Sequence, residues 1–117
     1  MAELLRPPDR TAALDDAGFP GYAMGAAANA IGVTPAFLRA LEAAGLFQVT
    51  RSDGGHRRYS RNDLRRAERA RQLVDDGIRV DAASRIVSLE YQLAAANEMI
   101  DILRRRADPP NHGRRQQ

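Results

Sequence analysis

The chain has 117 residues and a mass of 12.9 kDa, which is the size of one ordinary domain and leaves no room for a second, catalytic one. Hydrophobic residues make up 44% and charged residues 28%, which argues against wholesale disorder, and the lack of cysteine excludes disulfides, cysteine-based metal sensing and a thiol nucleophile. All 18 basic residues are arginine, and they oppose 15 acids for a net charge of +3.

The two ends of the chain are rich in residues that break regular structure. Residues 1–20, with Pro7, Pro8 and Pro20, predict a flexible N-terminal arm, and residues 108–117 predict a disordered tail. No apolar run approaches the roughly 20 residues of a membrane span, and no signal peptide is visible. We therefore expect a soluble, cytoplasmic protein with no membrane partner.

The first predicted elements are two short helices joined by a tight turn. The alanine-rich residues 25–31 predict a helix, and Gly32 has the freedom to adopt the positive φ that ends it. Thr34 suits an N-cap and Pro35 the first helical position, so a second helix is predicted from Pro35 to about Ala44. This arrangement is a helix-turn-helix.

The spacing of three residues supports this interpretation. A small residue is needed where the two helices touch, and Ala28 supplies it. A glycine is needed at the turn, at position 32, and an aliphatic side chain such as Leu38 must fill the space between the helices.

A β-hairpin is predicted after the two helices. Residues 47–51 alternate apolar and polar side chains at the strand period, residues 52–55 (Ser-Asp-Gly-Gly) turn the chain, and residues 56–59 return as a second strand. A two-stranded hairpin is marginal by itself and must pack on the helices. This is the geometry of a wing.

The hairpin leads into a third helix. Ser60 and Asp63 form a predicted capping box, and the helix is expected to run from Arg61 to about Asp76. Its exposed basic face is predicted to consist of Arg61, Arg65, Arg66 and Arg69. Its inward face is predicted to consist of Leu64, Ala67 and Leu73.

The last segment, residues 80–107, is predicted to form a dimerisation helix that has Asp81 as its N-cap and runs over residues 82–106. Apolar residues recur at heptad a and d spacing, and we expect them to form a dimer interface: Ile86, Leu89, Leu93, Ala96, Ile100 and Leu103. A helix nearly 40 Å long at ~1.5 Å per residue cannot bury this stripe on so small a domain. A homodimer is the economical solution, and a helix that folds back on its own domain is the alternative.

The order of these parts resembles the MerR family of transcription regulators. The most specific stretches are residues 32–35 (Gly-Val-Thr-Pro) with Leu38 and Arg39, residues 42–46, and residues 54–60 (Gly-Gly-His-Arg-Arg-Tyr-Ser). The short length and residues 86–93 are similar to the heat-shock repressor HspR group. The same wing also occurs in small developmental regulators of this superfamily.

The resemblance implies a mainly α fold: a winged helix-turn-helix domain over residues 21–79, with a two-stranded β wing, followed by a coiled-coil dimerisation helix. It implies a homodimer, joined by antiparallel helices, on a pseudo-palindromic operator, with the second helix in the major groove and the wing on phosphates. Arg57 matches the arginine that grips the DNA backbone, and no cofactor is implied. The residues expected to contact DNA are Thr34, Ala36, Phe37, Arg39, Arg51, His56, Arg57, Arg58 and Tyr59.

The second helix departs from the family pattern. Where the family usually has Arg-Tyr-Tyr-Glu, residues 39–42 are Arg-Ala-Leu-Glu, so an aromatic side chain that helps to contact phosphate is missing. Few hydrogen-bonding side chains remain for direct base readout. Either specificity comes from Arg39, contacts to thymine methyl groups and DNA shape, or this helix serves another partner. Phe37 is as readily a core residue as a surface one.

The basic charge is concentrated near the wing. Residues 51–71 carry eight arginines against three acids, a net charge of +5, while residues 1–50 sum to −2 and residues 72–117 to zero. Guanidinium groups bind phosphate bidentately, which favours DNA contact. The alternative for the third helix is a solvated face in which Arg65 and Arg69 pair with Asp63 and Glu68.

No catalytic or metal-binding pattern is present. His56 and His112 lie far apart in the sequence, and residues 54–55 form a hairpin turn rather than a phosphate-binding loop. We therefore expect no enzyme, no metal and no effector domain, with regulation through a protein corepressor or a component of RNA polymerase. Two hypotheses remain: a dimeric DNA-binding regulator, and a winged-helix module that binds a transcription or chaperone partner through its apolar second helix.

Overall fold

The computed structural model describes residues 16–107, and the statements below concern that part of the chain. Short strands alternate with helices in its first half, and a long helix follows. In chain order the elements are β1 (Tyr22–Ala23), α1 (Met24–Ile31), α2 (Pro35–Ala43), β2 (Thr50–Arg51), β3 (Arg57–Tyr59), α3 (Arg61–Asp75) and α4 (Val80–Ala107). None of these helices is both long and apolar enough to span a bilayer.

The helix-turn-helix forms as the sequence predicts. Gly32 ends α1 in the left-handed region, with φ +69°, and α2 begins with Pro35 at its first turn. The Thr34 hydroxyl oxygen caps α2 by accepting a hydrogen bond from the Phe37 backbone N–H at 3.1 Å. Leu38 is fully buried and Ala28 almost so, which confirms that both side chains pack between the helices.

The sheet has three strands, not the two that the hairpin pattern predicts. Its order is β1–β3–β2, and both pairings are antiparallel. Tyr22 pairs with Tyr59 and Ala23 with Arg58 on one side of β3. A two-residue strand such as β1 carries no alternation that a sequence pattern can detect, so the sequence does not predict it.

The wing strands are shorter than the expected residues 47–51 and 56–59. Only Thr50–Arg51 and Arg57–Tyr59 pair, since Phe47 turns into the core instead of continuing β2. The Phe47 ring meets the Tyr59 ring edge to face, with centroids 5.9 Å apart and planes at 86°. Aromatic pairs favour this geometry. The hairpin is thereby fixed to the core.

The third helix has the predicted capping box. Ser60 Oγ accepts from the Asp63 backbone N–H at 3.0 Å, and Asp63 Oδ2 accepts from the Ser60 N–H at 2.9 Å. Leu64 and Ala67 are buried as expected, but the third buried position is Ala70, while Leu73 is half-buried. Of the predicted basic face, Arg65 is exposed, and the other three arginines are half-buried.

The last helix begins at Val80, two residues before the predicted start at Ala82. Asp81 is therefore not its N-cap but lies in its first turn, where its carboxylate accepts from the Ala82 N–H at 2.8 Å. The chain divides into two compact units between Val87 and Ser88, inside α4. Ala83, Ser84 and Val87 belong to the first unit and are buried.

The predicted N-terminal arm and C-terminal tail fall mostly outside the described residues, since the description starts at residue 16 and stops at residue 107. The described end of the predicted arm, residues 16–20, makes hydrogen bonds, one of them to α3. The Asn62 backbone N–H in α3 donates to the Ala17 carbonyl at 3.0 Å, and the Gly18 N–H donates to the Asp16 carboxylate at 2.9 Å. Residues 16–18 thus make specific hydrogen bonds.

Replacing Ser60 by alanine tests the capping box. Ser60→Ala removes the acceptor for an otherwise unpaired N–H in the first turn of α3, so we expect a loss of about 1 kcal/mol in the free energy of unfolding. Urea denaturation followed by circular dichroism measures it. Ser88→Ala, inside α4, is the matched control and should change stability by no more than a few tenths of a kcal/mol. Equal effects of the two substitutions would contradict the role of the cap.

Candidate nucleic-acid interface

The exposed face of α2 is small and mostly apolar. Thr34, Ala36, Arg39 and Ala40 are exposed, whereas Leu38 and Leu41 are fully buried. Arg39 is the only α2 side chain with hydrogen-bond donors, and its Nη1 lies 3.5 Å from the sulfur of Met24 at the start of α1. Phe37 is half-buried, so it is neither a pure core residue nor a free surface one. Arg39 is thus the main polar group of this face.

The turn of the wing is held by a set of short-range hydrogen bonds. The Ser52 and Gly55 N–H groups donate to the carbonyls of His56 and Ser52, each at 2.8 Å, and Gly55 has φ +81°. Arg51 Nη1 donates to the Gly55 carbonyl at 2.9 Å. A Cβ on Gly54 would stand 3.2 Å from the His56 ring, so that ring packs closely over the turn. The hairpin tip therefore has a defined shape.

An ion pair joins the wing to the second helix. Arg57 Nε on β3 donates to Glu42 Oε1 on α2 at 2.8 Å, and the two side chains are only 28% and 26% exposed. This hydrogen bond raises the pKa of Arg57, so the guanidinium stays charged. Glu42 is the only acid between residues 21 and 50, a signal that could have predicted the pair.

A basic depression of about 310 Å³ opens between the wing and the start of α1. It contains three arginine side chains and no acidic one, and its lining residues are Ala23, Met24, Arg51, Gly55, His56, Arg57 and Arg58. Guanidinium groups are suited to phosphate oxygens because their planar donors match them bidentately. Four of the predicted DNA contacts, Arg51, His56, Arg57 and Arg58, are thereby brought together.

Tyr59 must be reassigned. We expected it as a surface aromatic on the wing, but its ring is fully buried against Phe47. A side chain with no exposed surface offers nothing for DNA to contact, so Tyr59 serves packing. Burial raises the pKa of its hydroxyl above the ordinary value, and the charge of Glu42 acts in the same direction. That hydroxyl is buried without a hydrogen-bond partner.

The acids on α3 have partners on the same helix. Arg71 forms ion pairs with Glu68 and Asp75, and the Asp63 carboxylate accepts from the Ser60 N–H in the capping box. The hydrogen bond from Arg71 lowers the pKa of Glu68. Arg69 donates to the Gln72 side chain at 3.3 Å. Sequence reasoning missed the role of Arg71, although its i−3 and i+4 acids were visible.

The predicted dimer residues lie mostly on the second unit. Four large apolar side chains of the stripe are exposed, by 45% for Leu89, 61% for Leu93, 43% for Ile100 and 52% for Leu103. Ala96 is exposed as well, while Ile86 belongs to the first unit and is half-buried. Large apolar side chains on a helix are normally covered, so this stripe is a candidate interface.

Comparison with known proteins identifies the family. Residues 22–90 match the model of the MerR HTH family of regulatory proteins. The chain belongs to this family. The predicted resemblance is thus confirmed, and so is the expectation that the protein is not an enzyme, because MerR proteins are transcription regulators. Among residues 16–107 no cluster of potential metal ligands occurs either.

Two relatives refine the comparison. A Streptomyces coelicolor protein assigned as heat shock protein HspR is 37% identical over 76 residues, which cover 64% of this chain and 50% of that protein. The predicted likeness to the HspR group is therefore confirmed, although the match spans only half of the relative's length. The crystal structure of HiNmlR, a MerR family regulator lacking the sensor domain, bound to promoter DNA, is 24% identical with a TM-score of 0.52. That match covers 74% of this chain and 78% of HiNmlR and supports the fold.

Removal of the Tyr59 hydroxyl tests the reassignment of this residue to the core. Because the hydroxyl is buried without a partner, Tyr59→Phe should leave the free energy of unfolding unchanged or slightly raised. Tyr59→Ala should lower it by roughly 3–5 kcal/mol through the loss of the ring. Urea denaturation distinguishes these results, and a loss above about 1 kcal/mol for Tyr59→Phe would mean that the hydroxyl has a partner.

The stability of the parent protein and that of Tyr59→Phe should differ in their dependence on pH. The folded pKa of Tyr59 is raised above the unfolded value of 10.0, so its contribution is fully present below pH 10 and is lost as the pH rises through the folded pKa. Unfolding above pH 10 should therefore become easier in the parent protein than in Tyr59→Phe. Identical pH profiles would contradict the burial of this group.

Proposed function

We propose that the protein is a sequence-preferring, DNA-binding transcription regulator that acts as a homodimer on a pseudo-palindromic operator. One observation carries the proposal: the basic depression of the wing lies beside α1 and is joined by the Arg57–Glu42 pair to α2, the helix that the family inserts in the major groove. Family membership and the DNA-bound state of HiNmlR support it. Such a regulator acts at the chromosome, so we expect it in the cytoplasm.

Phosphate binding is assigned to the wing. Glu42 engages Arg57 through Nε, which leaves the terminal guanidinium nitrogens for phosphate oxygens. Arg51 and Arg58 line the same depression and raise the local positive potential. Such contacts position the protein on the duplex and do not read its sequence. Binding through them should weaken as salt is raised.

Base recognition is assigned to the exposed face of α2. The Arg39 guanidinium can donate hydrogen bonds to the acceptor atoms on the edge of a guanine. The methyl groups of Ala36 and Ala40 can make apolar contacts with thymine methyl groups. Thr34 already accepts a capping hydrogen bond, so it is a weaker candidate for base contact. With so few groups for direct readout, part of the specificity must come from DNA shape.

Dimerisation is assigned to the stripe on α4. The predicted seam residues from Leu89 to Leu103 lie at a and d spacing on a continuous helix and are exposed in the single chain. An antiparallel pair of these helices would cover them and would place two helix-turn-helix units on successive grooves. The likeness to HspR favours a repressor that responds to stress, with a protein corepressor or a polymerase component as its partner.

The second candidate function is a protein-interaction module that uses the apolar face of α2. Exposed Ala36 and Ala40 favour it, but Leu41 is fully buried and Phe37 is half-buried. The surface that remains around Arg39 presents methyl groups and one guanidinium, which match the edges of base pairs. DNA binding is therefore the better assignment.

Duplex titration at two salt concentrations tests DNA binding. Genomic fragments enriched by the purified protein supply the operator. Arg57→Ala should weaken binding to all sequences about equally and reduce the slope of affinity against salt by about one. Arg39→Ala should also relax the preference for operator over random duplex, by about 1–3 kcal/mol.

The control is Arg105→Ala on α4, which should bind as the parent does. No binding at low salt, or affinity indifferent to salt, contradicts the proposal.

A charge in the seam tests the dimer. Ile100→Asp places an uncompensated carboxylate at an a position, so we expect light scattering to give the mass of a monomer. Ala95→Asp puts the same charge on an exposed c position of the same helix and should leave the dimer intact. If Ile100→Asp stays dimeric, the interface lies elsewhere.

A further inference from the structure

A second concave surface lies away from the wing. It is a groove of about 700 Å³ between the end of α1 and the side of α3. Its lining includes Ala30 and Ile31, whereas the wing depression includes Ala23 and Met24 at the other end of α1. Eight helical residues span about 12 Å, so the two concavities are separate surfaces of the first unit.

The groove has one apolar wall and one basic wall. Ala30 is exposed and Ile31 half-buried at the end of α1, and Leu64 forms an almost fully buried floor. Along α3 the guanidinium side chains of Arg61, Arg65 and Arg69 line the opposite wall. They recur every four residues, which places them on one face of α3 over about 12 Å.

The charge of the groove is positive. Its only acidic side chain is Glu68, which is paired with Arg71, another lining residue. Four arginines line the groove against this one acid, a formal net charge of +3, and α1 contributes no charged side chain. A ligand that complements both walls must bring carboxylates on one side and apolar side chains on the other.

An amphipathic helix has this pattern. Carboxylates at i and i+4 match the spacing of the arginines on α3, and leucine or isoleucine side chains on the adjoining stripe would contact Ile31 and Leu64. A DNA backbone satisfies the arginines but leaves the apolar wall without a partner. Binding of an apolar stripe is favourable because it removes that wall from water.

We propose that this groove is a docking site for an acidic amphipathic helix of a partner protein. The arginine wall supplies the charge complementarity and the apolar wall supplies the burial. This site is independent of DNA binding by the wing, since it uses neither the α2 face nor the residues of the wing depression. A regulator built in this way can hold DNA with the wing and a second protein with the groove.

A synthetic peptide tests the proposal on the full chain. The probe is a fluorescein-labelled helix of leucine and glutamate, with glutamates at i, i+4 and i+8 and leucines on the adjoining stripe. Anisotropy should report binding, and Arg65→Glu, at an exposed position, should weaken it by about fivefold or more. Ile31→Ala should weaken it as well, while Arg105→Glu, the matched charge change on α4, should have no effect.

Peptide controls separate the two walls. Replacement of the glutamates by lysine should abolish binding, and replacement of the leucines by serine should reduce it strongly. Amide shifts in NMR spectra should move at Ala30, Ile31 and Leu64. Equal binding of the lysine peptide, or no effect of Arg65→Glu, would overturn the proposal.

Two further outcomes would assign the groove to another occupant and also overturn the proposal. If duplex DNA displaces the peptide, and Arg65→Glu weakens DNA binding as Arg57→Ala does, the groove is part of the DNA surface. If Arg65→Glu changes the mass measured by light scattering without peptide, the groove is covered by a second copy of the chain. Peptide binding that persists in Arg57→Ala supports a site independent of the wing.

Discussion

The placement of β3 is the constraint on which the rest of the first unit depends. This strand pairs with both β1 and β2, and its last residue, Tyr59, is fully buried against Phe47. Side chains alternate along a strand, so burial of Tyr59 on one face directs Arg58 to the other. The next residue, Ser60, caps α3. A shift of one residue in this strand would exchange the buried ring for a guanidinium and lose the cap at the same time.

The arginine-rich segment acquires different roles because its acids are unevenly placed. Arg71 lies between two acids on its own helix and is held by both, and Arg57 is held by an acid on another element. Arg51 bonds a carbonyl of its own turn. A net charge of +5 over residues 51–71 therefore does not describe one uniform surface. It divides into a wing depression, which holds no acid, and a groove wall on α3.

Local signals in the sequence predicted local structure. The N-cap at Thr34, the turn at Gly32 and the capping box at Ser60 involve contacts within a few residues, so their chemistry is visible in the sequence. The third strand, the burial of Tyr59 and the Arg57–Glu42 pair join residues far apart in the chain. No pattern of period two or 3.6 encodes such contacts. The family resemblance gave the correct architecture, yet it also suggested a surface position for Tyr59 that the packing of Phe47 excludes.

The pair between Arg57 and Glu42 has a further consequence for recognition. A helix with one donor-bearing side chain reads few bases directly, so its orientation must be set by contacts outside the groove. An ion pair between wing and helix supplies a rigid link for this purpose, because phosphate contacts that fix the wing then fix α2 as well. Loss of the family's phosphate-contacting aromatic on α2 increases the importance of that link. In the proposed complex, the affinity for any duplex thus depends on how firmly the wing holds α2 in place, while base preference depends on what α2 contacts.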